Sequence, residues 1–294
     1  MAREIHEKAG TKAFPFLKIN IGARAVGMGS AFTGLADDAS ALYYNPAGMT
    51  SLPGNRFITG YHNYVAGIQS GFVGGVWTLN DKSALGAYAS YLNYGEFIEA
   101  DQQGNQSGET FSGGDVLLSV AYARRLSYNI EIGATAKAIF ETLEDYSSNG
   151  MAVDLAAKYS SDRRRLSVGV IVQNIGKQIE ALDSLEYDLP LTVRGGISYK
   201  PVGLALILAS DLIVPVDSRV EVALGVEYYE MKPFYLRLGW NSFGTNFRTA
   251  DSDDNWAGLS VGVGFDVSQY NIGYAFQAGA ELGDMHRITF TGSL

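Results

Sequence analysis

The chain has 294 residues, a formal charge of -9 and no cysteine, which excludes a disulfide framework, thiolate metal sites and a nucleic-acid partner, since duplex binding needs a basic surface. A mean hydropathy of +0.01 with no run of about eighteen apolar residues excludes a transmembrane helix but not a barrel, whose outer and inner faces average out. The 35 glycines, 18 tyrosines and 14 phenylalanines, against 7 prolines, favour strands over helices.

The opening MAREIHEKAG has no apolar h-region and is not a secretory signal; for an exported chain, a leader is expected to have been removed or replaced. Residues 21–54 read IGARAVGMGSAFTGLADDASALYYNPAGMTSLPG, a stretch of small residues with a helix-like DDASALYY. Asp37 or Asp38 is placed to cap a short helix through its free amides, and Pro46 to end it. This part is expected to form a compact plug, and residues 55–294 the wall around it.

From Asn55 onward, segments of about ten residues carry apolar side chains at every second position, the period of a strand. In 220–228, Val220, Val222, Leu224, Val226 and Tyr228 oppose Glu221, Ala223, Gly225 and Glu227. In 234–241, Phe234, Leu236, Leu238 and Trp240 oppose Tyr235, Arg237, Gly239 and Asn241. Segment 191–200 sets Arg194 and Lys200 apart from Val193, Ile197 and Tyr199, and 151–159 does the same with Asp154 and Lys158. Segment 130–140 places Glu131, Thr135 and Lys137 together. A soluble sandwich also alternates, but a face mixing Gly and Ala with charges of both signs suits a crowded barrel lumen. Glu131, Asp154, Lys158, Arg194, Glu221, Glu227 and Arg237 are therefore expected to face the lumen.

The strand cores fall at 55–65, 68–79, 83–93, 113–125, 129–142, 149–160, 164–175, 190–200, 203–213, 219–230, 233–242, 256–267, 270–277 and 285–294. They predict an all-β, transmembrane antiparallel barrel of about 14 strands with a short N-terminal plug. Turns after even-numbered strands are short, whereas 94–112, 176–188 and 242–255 make long loops after odd-numbered ones. Short periplasmic turns opposite long extracellular loops characterise outer-membrane barrels. The last segment puts Ile288, Phe290 and Leu294 on one parity, ready to pair with the first strand and remove the sheet edge. Tyr91, Tyr122, Tyr159, Tyr199, Tyr228, Trp240 and Phe265 lie near strand ends, where aromatic girdles form.

The run GARAVGMGSAFTGLADDASALYYNPAGM resembles the N-terminal signature of the PorV/PorQ family of outer-membrane proteins, which is distantly similar to the FadL family of fatty-acid transporters. The resemblance is strongest over residues 17–53 and architectural beyond. It implies a fourteen-stranded barrel whose N-terminal segment folds into the lumen as a hatch. Gly27, Gly29, Asp37, Asp38, Asn45, Pro46 and Gly48 carry it, and they are expected to shape the hatch rather than bind a ligand, with glycines for close backbone approach and Asn45-Pro46 for a turn.

Other motifs fail on their spacing. Gly27 and Gly29 begin a dinucleotide fingerprint, but Phe32 stands where its third glycine belongs. His6, His62 and His286 have no metal-site spacing. Asp251, Asp253 and Asn255 start like a calcium loop, yet Trp256 replaces its glycine. The strand carboxylates suit a lumen better than paired-acid catalysis, so neither an enzyme nor a cofactor is expected.

The resemblance implies an accessory of the type IX secretion system, set in outer-membrane lipid, whose partners are a large translocon barrel and secreted cargo proteins met through the long loops. The alternative is a FadL-like carrier with a hydrophobic ligand in the lumen, for which Phe32, Leu35, Leu42 and Tyr43 would either line a pocket or seal it. An open porin is disfavoured because a hatch obstructs the channel.

Overall fold

A computed structural model of the chain describes residues 7–100, 103, 106–161, 163, 165–183, 185–243, 256–279 and 283–294. The wall is one antiparallel sheet: β1 (Arg56–Asn63), β2 (Gln69–Asn80), β3 (Ser83–Ala100), β4 (Gln106–Arg125), β5 (Ile130–Leu143), β6 (Tyr146–Ser160), β7 (Leu166–Glu180), β8 (Thr192–Tyr199), β9 (Leu206–Pro215), β10 (Glu221–Tyr228), β11 (Phe234–Asn241), β12 (Leu259–Val267), β13 (Tyr270–Gln277) and β14 (Met285–Ser293). Each strand pairs with its chain neighbours, and β14 closes on β1 from Arg56↔Ser293 to Asn63↔His286. Closure leaves no row of unpaired amides and carbonyls, the condition for a sheet to lie in hydrocarbon. The fourteen segments expected from the periodicity correspond one to one with these strands.

The alternation has the cause expected of it. On β10, Leu224 is 47% exposed while its neighbour Ala223 is fully buried. The exposed set is the lipid face, and the buried set meets the hatch. Tyr91, Tyr122, Tyr159, Tyr199, Trp240 and Phe265 all stand on the exposed side, and Tyr228 is half-buried.

One expected loop turns out to be largely strand, and a second begins as strand. In 94–112 the chain continues as a hairpin, with β3 reaching Ala100 and β4 beginning at Gln106. Phe97 pairs across to Phe111, their rings stacked at 5.3 Å. That cross-strand aromatic pair helps hold the two arms of the hairpin together. Likewise β7 runs on to Glu180, absorbing the start of 176–188, and β5 and β6 join through Glu144 and Asp145 alone. Part of the height at this rim is therefore built from strands instead of loops. The acidic stretch of 251–255, with most of 242–255, lies outside the described residues, as does His6.

Candidate functional site: the hatch that seals the lumen

Residues 13–54 run inside the wall as four short pieces: a 3-10 turn at Pro15–Lys18, α1 (Ala23–Gly27), α2 (Ala41–Tyr44) and a 3-10 segment at Pro46–Ser51. None is long enough to persist alone in water, so packing must hold them. Phe14, Met28, Phe32, Tyr44 and Met49 are fully buried. The N-cap of α2 is Ser40, without a side-chain cap; Asp38 instead accepts the Ser40 amide at 2.8 Å in the turn before the helix, and Asp37 turns to other partners. Asn45 breaks α2 with an extended backbone, accepts the Ala47 amide at 3.2 Å and donates to the Thr33 carbonyl at 3.0 Å. Pro46 thus opens the next turn as well as closing the last.

The glycines of the signature let two backbones touch. Gly29 has a φ of 66°, and a Cβ there would stand 2.6 Å from the Leu224 and Trp240 carbonyl oxygens of the wall. The wall answers with its own glycines. A Cβ on Gly239 would collide with Gly29, one on Gly225 with Met28, and one on Gly169 with Thr33 and Asn45. Gly48 packs in the same manner against Ala36 within the hatch. Small residues on the inward face are therefore the seats in which the hatch lies.

Charge fixes what the glycines admit. Arg24 of α1 donates from Nε and Nη2 to the two carboxylate oxygens of Glu227, each at 2.8 Å, a bidentate pair. Its Nη1 reaches Asp37 at 2.7 Å and Asp38 at 2.9 Å. Arg237 joins Glu227 at 2.6 Å, and Lys200 joins Asp37 at 3.1 Å. Three cations meet three carboxylates, so the cluster is neutral as a unit. Burial alone would lower the basicity of Arg24, but Asp37, Glu227 and Asp38 override it and raise its pKa. Burial alone would raise Asp37; Arg24, Lys200 and Lys158 instead hold its carboxyl well below the usual range. The Tyr44 hydroxyl is pushed up to about 12 by burial and donates to the Ile21 carbonyl at 2.9 Å.

Each expected lumen charge faces inward, with different partners. Lys158 donates to the Leu35 and Ala36 carbonyls, and Glu131 accepts from hatch Ser51 at 2.7 Å. Arg194 donates to the Ser30 carbonyl at 2.9 Å and lies 5.1 Å from the Tyr44 ring centre. Asp154 braces the wall instead, pairing with Lys137 at 2.7 Å and accepting the Asn174 amide at 2.8 Å, where β7 bulges through an Asn174 φ of 63°. Glu221 lines a cavity of about 50 Å³ near the long-loop end with Lys18, Asn20 and Arg194.

Several anchors escaped the sequence reading. Asp211 on β9 accepts the Phe32 and Thr33 amides at 3.1 and 2.9 Å. Asn241 donates to the Gly29 carbonyl at 3.1 Å, and Ser260 receives the Gly29 amide at 3.1 Å. For Asp211 the signal was present: Ile207, Ala209, Asp211 and Ile213 form the buried parity of β9. Arg24 carried none, since its partner Glu227 lies 203 residues away.

Little free space lies around the apolar side chains of the hatch, whereas a largely polar cavity of about 490 Å³ opens at the short-turn end between hatch Asp37, Asp38 and Leu52 and wall Asp266, Gln269 and Asn271. Phe32, Leu35, Leu42 and Tyr43 are all buried, and the cavities beside Tyr43 measure about 50 and 20 Å³. The larger apolar hollows, about 750 and 400 Å³, involve the outer wall of β1–β6 at Val73, Ala89, Leu118, Val120 and Tyr91. Behind them the β2–β3 ladder pairs continuously from Gln69↔Asn93 to Thr78↔Ala84.

The family model described as type IX secretion system protein PorV matches residues 2–231. The chain belongs to the PorV family. It is a type IX secretion barrel of the outer membrane, in a family of secretion proteins and not of enzymes. Among curated proteins, none matches in sequence. The fold is shared with outer-membrane channels. The CymD monoaromatic hydrocarbon channel superposes with a TM-score of 0.63 at 13% identity, covering 94% of this chain and 98% of that one. The Pseudomonas putida toluene transporter TodX gives 0.58 at 13%, covering 90% and 96%. A Pseudomonas aeruginosa FadL homologue gives 0.56 at 11%, covering 91% and 97%.

Proposed function

We propose that this PorV-family barrel works as a closed adaptor, engaging a large translocon barrel and secreted cargo through its extracellular rim while conducting nothing through its lumen. The observation that supports this reading is the scarcity of apolar space inside the barrel: the cavity of about 490 Å³ against the hatch is lined largely by polar residues, and the rest of the space around the hatch is small. Cavities of about 50 and 20 Å³ hold a few waters, whereas small-molecule pockets run to about 300–1,000 Å³. The hatch signature (Gly27, Gly29, Asp37, Asp38, Asn45, Pro46 and Gly48) and the lumen charges then serve to keep the plug seated. The binding elements are the rim segments at 94–112, 176–188 and 242–255, since a rigid wall presenting variable loops is a common basis for recognition.

The other reading, carriage of a hydrophobic molecule, takes its support from the channels that share the fold. It requires an apolar pocket beside the hatch, whereas the cavity of about 490 Å³ there is lined largely by polar residues and the apolar hollows open on the lipid face.

The test is affinity purification of the tagged chain from its native outer membrane in mild detergent. Recovery of a very large barrel, or of exported proteins with C-terminal sorting domains, is the expected result. A lone monomer carrying lipid would overturn it.

A further inference from the structure

Most buried cations of the lumen are answered by the chain itself. Arg24 and Arg237 share Glu227, Arg194 reaches Asp211 at 3.4 Å, Lys137 reaches Asp154, and Lys158 takes two hatch carbonyls. Arg287 on β14 differs. It is 4% exposed, its Nη1 donates to Gln277 Oε1 at 3.1 Å, and its Nε has no partner. The ionisable neighbours that act on it are the hydroxyls of Tyr44, Tyr64 and Tyr43, with no carboxylate among the described residues. Tyr43 and Tyr44 already donate to the Leu17 and Ile21 carbonyls. Directly across the closing seam, in the register His62↔Arg287, stands His62, which is 3% exposed with Nε2 unpartnered.

A guanidinium withdrawn from water without a counter-charge is strongly unfavourable, and a buried imidazole nitrogen without a partner adds to the deficit. Two such groups facing one another, both offering N–H donors in the right tautomer, fit an anion and repel a metal ion. We propose that Arg287 and His62 form a binding site for a compact monovalent anion, chloride or a short carboxylate, that neutralises the seam between the first and last strands. Gln277 Oε1 orients the guanidinium, leaving Nε for the ligand. The site lies near the ends of β1 and β14 at the long-loop side, with His62 next to the last residue of β1, so the anion enters from outside the cell.

The experiment uses the purified full-length barrel in detergent near neutral pH, its melting followed by the heat-dependent gel shift. Sodium gluconate is replaced stepwise by sodium chloride, or in a parallel series by sodium acetate, at constant ionic strength. The expected result is a saturable rise in melting temperature of about 3 °C. A rise with chloride alone identifies an inorganic ion, and one with acetate identifies carboxylate. Arg287→Gln loses the response, and Arg287→Lys keeps part of it. Should Arg287→Gln fail to fold, chloride NMR line broadening on the unaltered protein, displaced by acetate, supplies the second reading. Equal melting in every salt, an unchanged response in Arg287→Gln, or absence of broadening overturns the site.

Discussion

Arg24 and Glu227 meet with both nitrogens of one fork on both oxygens of the other, at 2.8 Å each. The pair joins the hatch to β10, and the Glu227 side chain is 3% exposed. Removing one member of such a buried pair costs about 3–5 kcal/mol, mostly from the charge left behind.

Arg24→Ala is therefore expected to loosen the hatch while the wall stays closed. In planar bilayers the parent stays shut, and the variant shows discrete conductance steps. Its heat-dependent gel shift still appears. A variant as silent as the parent would mean that the glycine seats hold the hatch without the charge cluster.

Gly29→Ala tests those seats. A left-handed backbone costs a residue with a Cβ about 1–2 kcal/mol, and overpacking against rigid wall carbonyls adds about 1–3 kcal/mol. Gly10 has a φ of 74° with nothing within 4 Å of its would-be Cβ, so Gly10→Ala bears the backbone cost alone. Comparing the two melting temperatures isolates the contact, and equal shifts would refute it.

The charge cluster sets an acid limit. Because the folded pKa of Asp37 is lowered, its contribution is fully present above the unfolded value of about 4 and decays as pH falls through the folded one. Conductance should stay closed from neutral pH to about 5 and rise only below about 4. Asp37→Asn should remove most of that acid dependence.

The lipid face of the wall predicts unequal tolerances. Leu224→Lys places a charge in lipid and is expected to cost about 2–4 kcal/mol if it lies near the bilayer midplane. Val153→Thr, also on the exposed face, should cost far less. Refolding into lipid vesicles across a urea series measures both.

The wall was legible because lipid outside and hatch inside impose a period of two on every strand, and Glu227 or Arg194 could be assigned a face from its neighbours alone. The partners were not legible. Arg24 finds Glu227, and Gly29 finds Gly239, only after the chain has wrapped around itself, so no local pattern links them. Asp37 and Asp38 looked alike in sequence; the fold gives both of them Arg24, then adds the amide of Ser40 to Asp38 and Lys200 to Asp37. The Phe97 and Phe111 pair was hidden for a similar reason, since the two rings meet only once the hairpin has formed.

The seam where β14 meets β1 dictates an order of assembly. It joins residues 56–63 to 286–293, so the cylinder cannot shut until β14 has been delivered. The hatch precedes β1 in the chain and must already lie within the unclosed sheet at that moment. Once Gly239 and Gly225 stand against Gly29 and Met28, the wall encircles a core that was synthesised first. An insertion machine that accepts this protein has to keep a partly curled sheet open around its own N-terminal segment.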